Sequence, residues 1–213
     1  MVNCGAMKTC EYAGDPFTEP RSHPWVDAVN SADCRYYNLT ASPALIRSAL
    51  EDFKPWAQYA AIETFYALLE RLNHRGSALE SNDCAFTGPH VSDEAQVDKA
   101  LECSGRVMVL FRALASNTAA HVERLKNEFH GELAALDPGF RWGVVGTTIV
   151  PARYLALVDG EQLGVQLMIS FWAWGDTEAD TMLNFARLLK NLAQALRKVS
   201  ASVAGHRVAS QRV

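Results

Sequence analysis

The chain has 213 residues, 49% of them hydrophobic and 21% charged, and a formal net charge of −4. That length supports one sizeable core, and the composition excludes a disordered or fibrous protein. The mildly acidic balance argues against a nucleic-acid binder, which needs a basic face, and suits a basic or neutral partner better.

Residues 1–35 carry Pro16, Pro20 and Pro24 among scattered charges, with no apolar period, and read as an extended or disordered tail. The opening residues show no basic region followed by an apolar run, and no stretch approaches the roughly 18 apolar residues of a membrane helix. A cytoplasmic protein that does not enter membranes is the expectation. Five cysteines (Cys4, Cys10, Cys34, Cys84 and Cys103) are an odd number with no C-x-x-C pair, which argues against a disulfide framework.

A single α+β domain is expected over 36–200. Ser42-Pro43 is a cap residue followed by proline at a first helical position, and Leu45, Ile46, Ala49, Leu50 and Phe53 recur on one face. Pro55 breaks or kinks that helix. A second helix is predicted over 55–74, with Ala61, Phe65, Leu68, Leu69 and Leu72 as its stripe. "ALESNDCAFTGPH" (78–90) then reads as a loop after Gly76. For 92–115 the spacing is shared between one long helix and a helix followed by a strand at "GRVMVLF", and the balance favours the helix. Asn117 caps a further helix that ends at Asp137-Pro-Gly139.

A small antiparallel sheet is expected around a 142–173 hairpin. "WGVVGTTIV" is strand-like, Pro151 interrupts it, and Asp159-Gly160 is a turn signal. On the return strand, Leu163, Val165, Leu167, Ile169 and Phe171 alternate onto the core face, and Trp172 and Trp174 onto the other. A long final helix follows Gly175-Asp176, with a seam of Met182, Phe185, Leu189, Leu192, Leu196 and Val199, which leaves a homodimer open. Residues 201–213 are expected to fray.

Two groups of residues could carry function. In the 78–90 segment, Glu80, Asp83, Cys84 and His90 offer a carboxylate acid–base pair or a thiol beside an imidazole. Turn chemistry accounts for the same residues. Trp172 and Trp174, followed by Asp176, Glu178 and Asp180, offer an aromatic platform rimmed by acids, although the helix dipole alone explains the acids. His74, Cys84, His90 and Cys103 have no metal-ligand spacing, so no metal is expected, and no dinucleotide or phosphate-loop motif calls for a cofactor. The resulting expectation is an acidic, non-enzymatic protein-binding module, of the kind by which bacterial immunity proteins neutralise a basic partner. The alternative is a small enzyme using Cys84/His90 or Glu80/Asp83.

Overall fold

A computed structural model describes residues 8–11, 20–24, 37–94, 97–157 and 163–210. The fold is α+β. The strands are β1 (Lys8–Glu11), β2 (Arg21–His23), β3 (Leu79–Val91), β4 (Leu101–Phe111), β5 (Gly143–Tyr154) and β6 (Leu163–Gly175). The helices are α1 (Leu45–Ser48), α2 (Ala60–Asn73), α3 (Ala119–Ala134) and α4 (Glu178–Ser210), with a 3-10 turn at Glu51–Trp56.

The sheet order is β1-β5-β6-β4-β3, with β2 also on β5. Two antiparallel pairs, β3–β4 and β5–β6, join through an antiparallel β4–β6 contact. β1 and β2 both run parallel to β5, beside Val144–Thr147 and Ala152–Tyr154 respectively. Thus part of the segment read as a tail belongs to the sheet. Most of the rest of it lies outside the described residues, as does the Asp159-Gly160 turn.

All the long helices cover one face. Phe65, Leu69, Phe129, Leu133, Phe185, Leu189 and Leu192 meet Val107, Val109, Leu167, Ile169 and Phe171 in one buried cluster. The whole α4 seam, Met182 to Val199, lies in that cluster at 2% exposure or less, so it packs within the chain. The opposite face buries two smaller clusters, Met108–Val150–Met168 and Leu110–Ala152–Tyr154.

Several local expectations change. The Ser42 helix shrinks to α1 and the 3-10 turn, because Pro55 cannot sit inside a regular helix. Residues 78–90 are not a loop but most of a 13-residue strand. Residues 92–115 are not a helix. Val107–Phe111 is buried on both faces of the sheet, and a continuous apolar run suits such a central strand. Asn117 is not the cap of α3. Thr118 is, accepting from His121 N, while the Asn117 side chain bridges Phe111 N (2.8 Å), Phe111 O (2.9 Å) and Leu114 O (3.1 Å). Pro151 does not interrupt β5. It falls between the stretches that pair with β1 and β2, where no described strand lies on that side to require its missing N–H. α4 stays helical through Ser210, past the point where fraying was expected.

Candidate functional site

A bulge in β3 decides where the residues of 78–91 point. Ser81 pairs with Val109 but Cys84 with Val107, so β3 carries one extra residue there. Glu80 and Asn82 consequently face away from the helices, while Cys84 turns back toward them.

On the face away from the helices, Glu80 and Asn82 meet a residue of β2. His23 Nε2 lies 2.8 Å from Glu80 Oε1, and His23 Nδ1 lies 3.0 Å from Asn82 Oδ1. The Asn82 amide nitrogen donates to Ser22 O (3.3 Å) and Gln166 Oε1 (3.2 Å), which leaves its oxygen to accept from the imidazole. Arg112 Nη1 reaches Glu80 Oε2 at 3.2 Å, and the guanidinium also donates to the Ser77, Leu72 and His74 carbonyls. Tyr154 sets its ring edge to His23 at 6.0 Å and donates to Val165 O. Burial pushes the Tyr154 phenol up, and the charge of Glu80 adds to the shift. His23, Glu80, Asn82 and Gln166 are all buried. The network satisfies them as a buried polar group requires, and it ties β2, β3 and β6 together with Arg112 at the end of β4.

A second cluster surrounds Glu102. Trp174 Nε1 (3.1 Å) and Ser92 Oγ (3.0 Å) donate to one oxygen, and His90 Nε2 sits 3.3 Å from the other. Serine and histidine both address the carboxylate rather than each other, so the group lacks the nucleophile–base contact of a triad. Asp83 pairs with Arg106 at 3.1 Å. Arg106 thus has an ionic partner on β3, as Arg112 does in Glu80.

Cys84 packs its thiol against the helix-side core. Burial pushes that thiol up to about 12, with Asp83 adding and Arg106 opposing. Cys84 and His90 stand opposite Val107 and Glu102, about 17 Å apart along β4 at strand rise. The thiol thus has neither an adjacent base nor a lowered pKa, the two means of activating it. Glu80 and Asp83 are each held by an arginine. Among the described residues, no group of three or more His, Cys, Asp or Glu side chains is placed to hold a metal ion. No described helix is long and apolar enough to cross a membrane.

Trp174 is 6% exposed and Trp172 is half-buried. The acids that follow are exposed, and each has a contact within the chain. Asp176 takes Lys99 at 2.5 Å, Glu178 accepts from Tyr59, and Asp180 accepts from Thr177 at 2.8 Å.

Comparison of the chain with protein-family models, with curated proteins and with solved structures finds no match. The side chains themselves are therefore the basis for any functional reading.

One concavity opens away from all these clusters. It is a groove of about 600 Å³ between the C-terminal half of α2, the 74–77 turn and α4. Leu68, Leu72 and Leu196 underlie it, while Ala67 and Ala201 are exposed along it. Arg71 and Arg197 flank it, both exposed and without an ionic partner among the described residues. Sequence reading missed this groove and His23. A signal for the groove was present: after Asp180 the chain has six Arg and Lys and no Asp or Glu.

Proposed function

We propose that this chain is a non-enzymatic protein-binding module. The observation that carries the reading is a contrast. Glu80, Asp83, Glu102 and Cys84 are held in internal pairs or turned into the core, whereas the α2–α4 groove is open and flanked by uncommitted charge. An enzyme needs a nucleophile or an acid–base pair facing a cleft. The groove is lined by neither Cys84, Glu80, Asp83 nor Glu102, and of the groups that do line it, His74 accepts from Gly76 N while Ser77 faces Ser200, so no nucleophile–base contact forms there.

The 172–180 surface supports a basic partner less well than its sequence suggests, because Trp174 is used inside the protein and Asp176 already holds Lys99. An immunity-type role in a bacterial cytoplasm is one specific form of the binding reading. Its support is the small single domain and the free thiols of Cys84 and Cys103, which suit a reducing compartment.

Hydroxyl-radical footprinting, read by mass spectrometry, tests the proposal. The protein in buffer is compared with the protein in lysate of its native cells. A contiguous surface patch protected only in lysate is the expected result. Uniform labelling in both conditions would overturn the binding reading.

A further inference from the structure

The α2–α4 groove has a charge opposite to that of the whole chain. Of the described cations of α4, Arg187 is held by Asp137 and Lys198 by Glu132. Lys190 and Arg197 have no ionic partner among the described residues and are exposed. They are seven residues apart, so they lie two turns apart on one side of the helix, about 10 Å along its axis. Across the groove, Arg71 and Arg75 are equally uncommitted and exposed. The one acid that lines the groove, Glu70, is taken by Arg47 at 2.5 Å. What faces solvent is thus a trough of small residues, Ala67, Gly76 and Ala201 with Ser77 and Ser200, over buried leucines and between Arg71 and Arg197.

From this juxtaposition we infer that the groove binds an acidic amphipathic helix of a protein partner. The inference rests on the binding-module reading and names the chemistry of its partner. A helix laid in the trough would place its apolar side chains against Ala67 and Ala201, the exposed apolar residues of the lining. Acids flanking its apolar face would meet Arg71 on one rim and Arg197 on the other. Acids seven residues apart would match Lys190 and Arg197. A nucleic-acid backbone fits less well. It would leave the exposed alanines unused, and the net charge of −4 repels a long polyanion, whereas a short acidic helix senses mainly the local rim. A second copy of the chain is also disfavoured, because the end of its own α4 is basic.

The test uses two labelled amphipathic peptides of about 18 residues, long enough for four to five helical turns. Both carry the same leucine face. One is flanked by glutamates and the other by lysines at the same positions. Fluorescence anisotropy measures their binding to the full chain and to an Arg71→Glu/Arg197→Glu variant checked by circular dichroism. The acidic peptide is expected to bind the wild type at least about tenfold tighter, weakening with salt, and the variant is expected to reverse the preference. Should the reversed variant misfold, Arg71→Gln/Arg197→Gln should abolish the preference without reversing it. Equal binding of both peptides, or a preference unchanged in the variants, would overturn the inference. A lysate footprint elsewhere on the surface would then keep the binding reading and relocate its site.

Discussion

His23 and Glu80 meet at 2.8 Å in the protein interior, each less than a tenth exposed. The contact joins a short edge strand to the far side of the sheet, and Arg112 completes the pairing of the carboxylate. Removing Glu80 leaves the buried His23 Nε2 without its partner and takes the carboxylate from Arg112. Glu80→Ala should therefore destabilise the fold by about 3 kcal/mol, and Glu80→Gln by less, because the amide keeps an acceptor for Arg112. Urea denaturation measures both. A loss below about 1 kcal/mol for the alanine variant would mean that the network adds little to stability.

Asn117 is 2% exposed and occupies both backbone groups of Phe111. Asn117→Ala should cost about 2 kcal/mol, since Phe111 N–H and C=O would lose their partner at the end of a buried strand. Asn117→Asp should do no better, because a carboxylate cannot donate to Phe111 O. Equilibrium unfolding that ranks Asp close to wild type would contradict this.

Trp56 lies against Gly88 so closely that a Cβ on the glycine would come within 2.1 Å of the indole. Gly88→Ala should cost about 1–3 kcal/mol through displacement of the ring. The diagnostic is a double-mutant cycle. Added to Trp56→Ala, the Gly88 substitution should cost almost nothing. Additive losses would show that the indole is not the obstacle.

The Cys84 thiol gives a pH dependence with a definite sign. Its folded-state value, about 12, lies above the ordinary 9.0. Below 9 both folded and unfolded chains keep the proton. Between 9 and 12 only the folded chain keeps it, so stability falls as pH rises, by up to about 1.4 kcal/mol per pH unit. Cys84→Ala should flatten this alkaline slope in urea melts taken across the range. In a variant with Cys4, Cys10 and Cys34 changed to serine, a thiol reagent should label the chain only under unfolding conditions. Rapid labelling of the native variant would restore Cys84 as a candidate nucleophile.

The final helix was legible because an apolar seam at 3-4 spacing, sustained from Met182 to Val199, matches the period of a helix and of no other regular element. The 163–174 alternation was legible in the same way at period two. β3 was hidden by its composition. Asn82, Asp83, Gly88 and Pro89 are turn residues by habit, yet here the bulges accommodate two irregular steps and neighbouring side chains satisfy the polar groups. β4 was hidden by coincidence, since its apolar run also matches a helical face. The candidate sites fared worse. Whether Cys84 lies beside His90 depends on strand extension, and whether Trp174 is exposed depends on Glu102, which lies far from it in sequence. The groove depends on which cations are left over after pairing, and only the folded chain decides that.

The placement of β1 and β2 has a consequence for biosynthesis. Both leave the ribosome well before β5, the strand they pair with, which begins at Gly143. At roughly 5–20 residues per second, these segments wait on the order of ten seconds before the edge they complete exists. His23 waits less long for Glu80 and Asn82, which precede β5 in the chain. The β3–β4 hairpin and α3 can associate in that interval without them. The N-terminal strands can therefore join no earlier than the emergence of β5, and until they do the β5 edge is open to other extended segments.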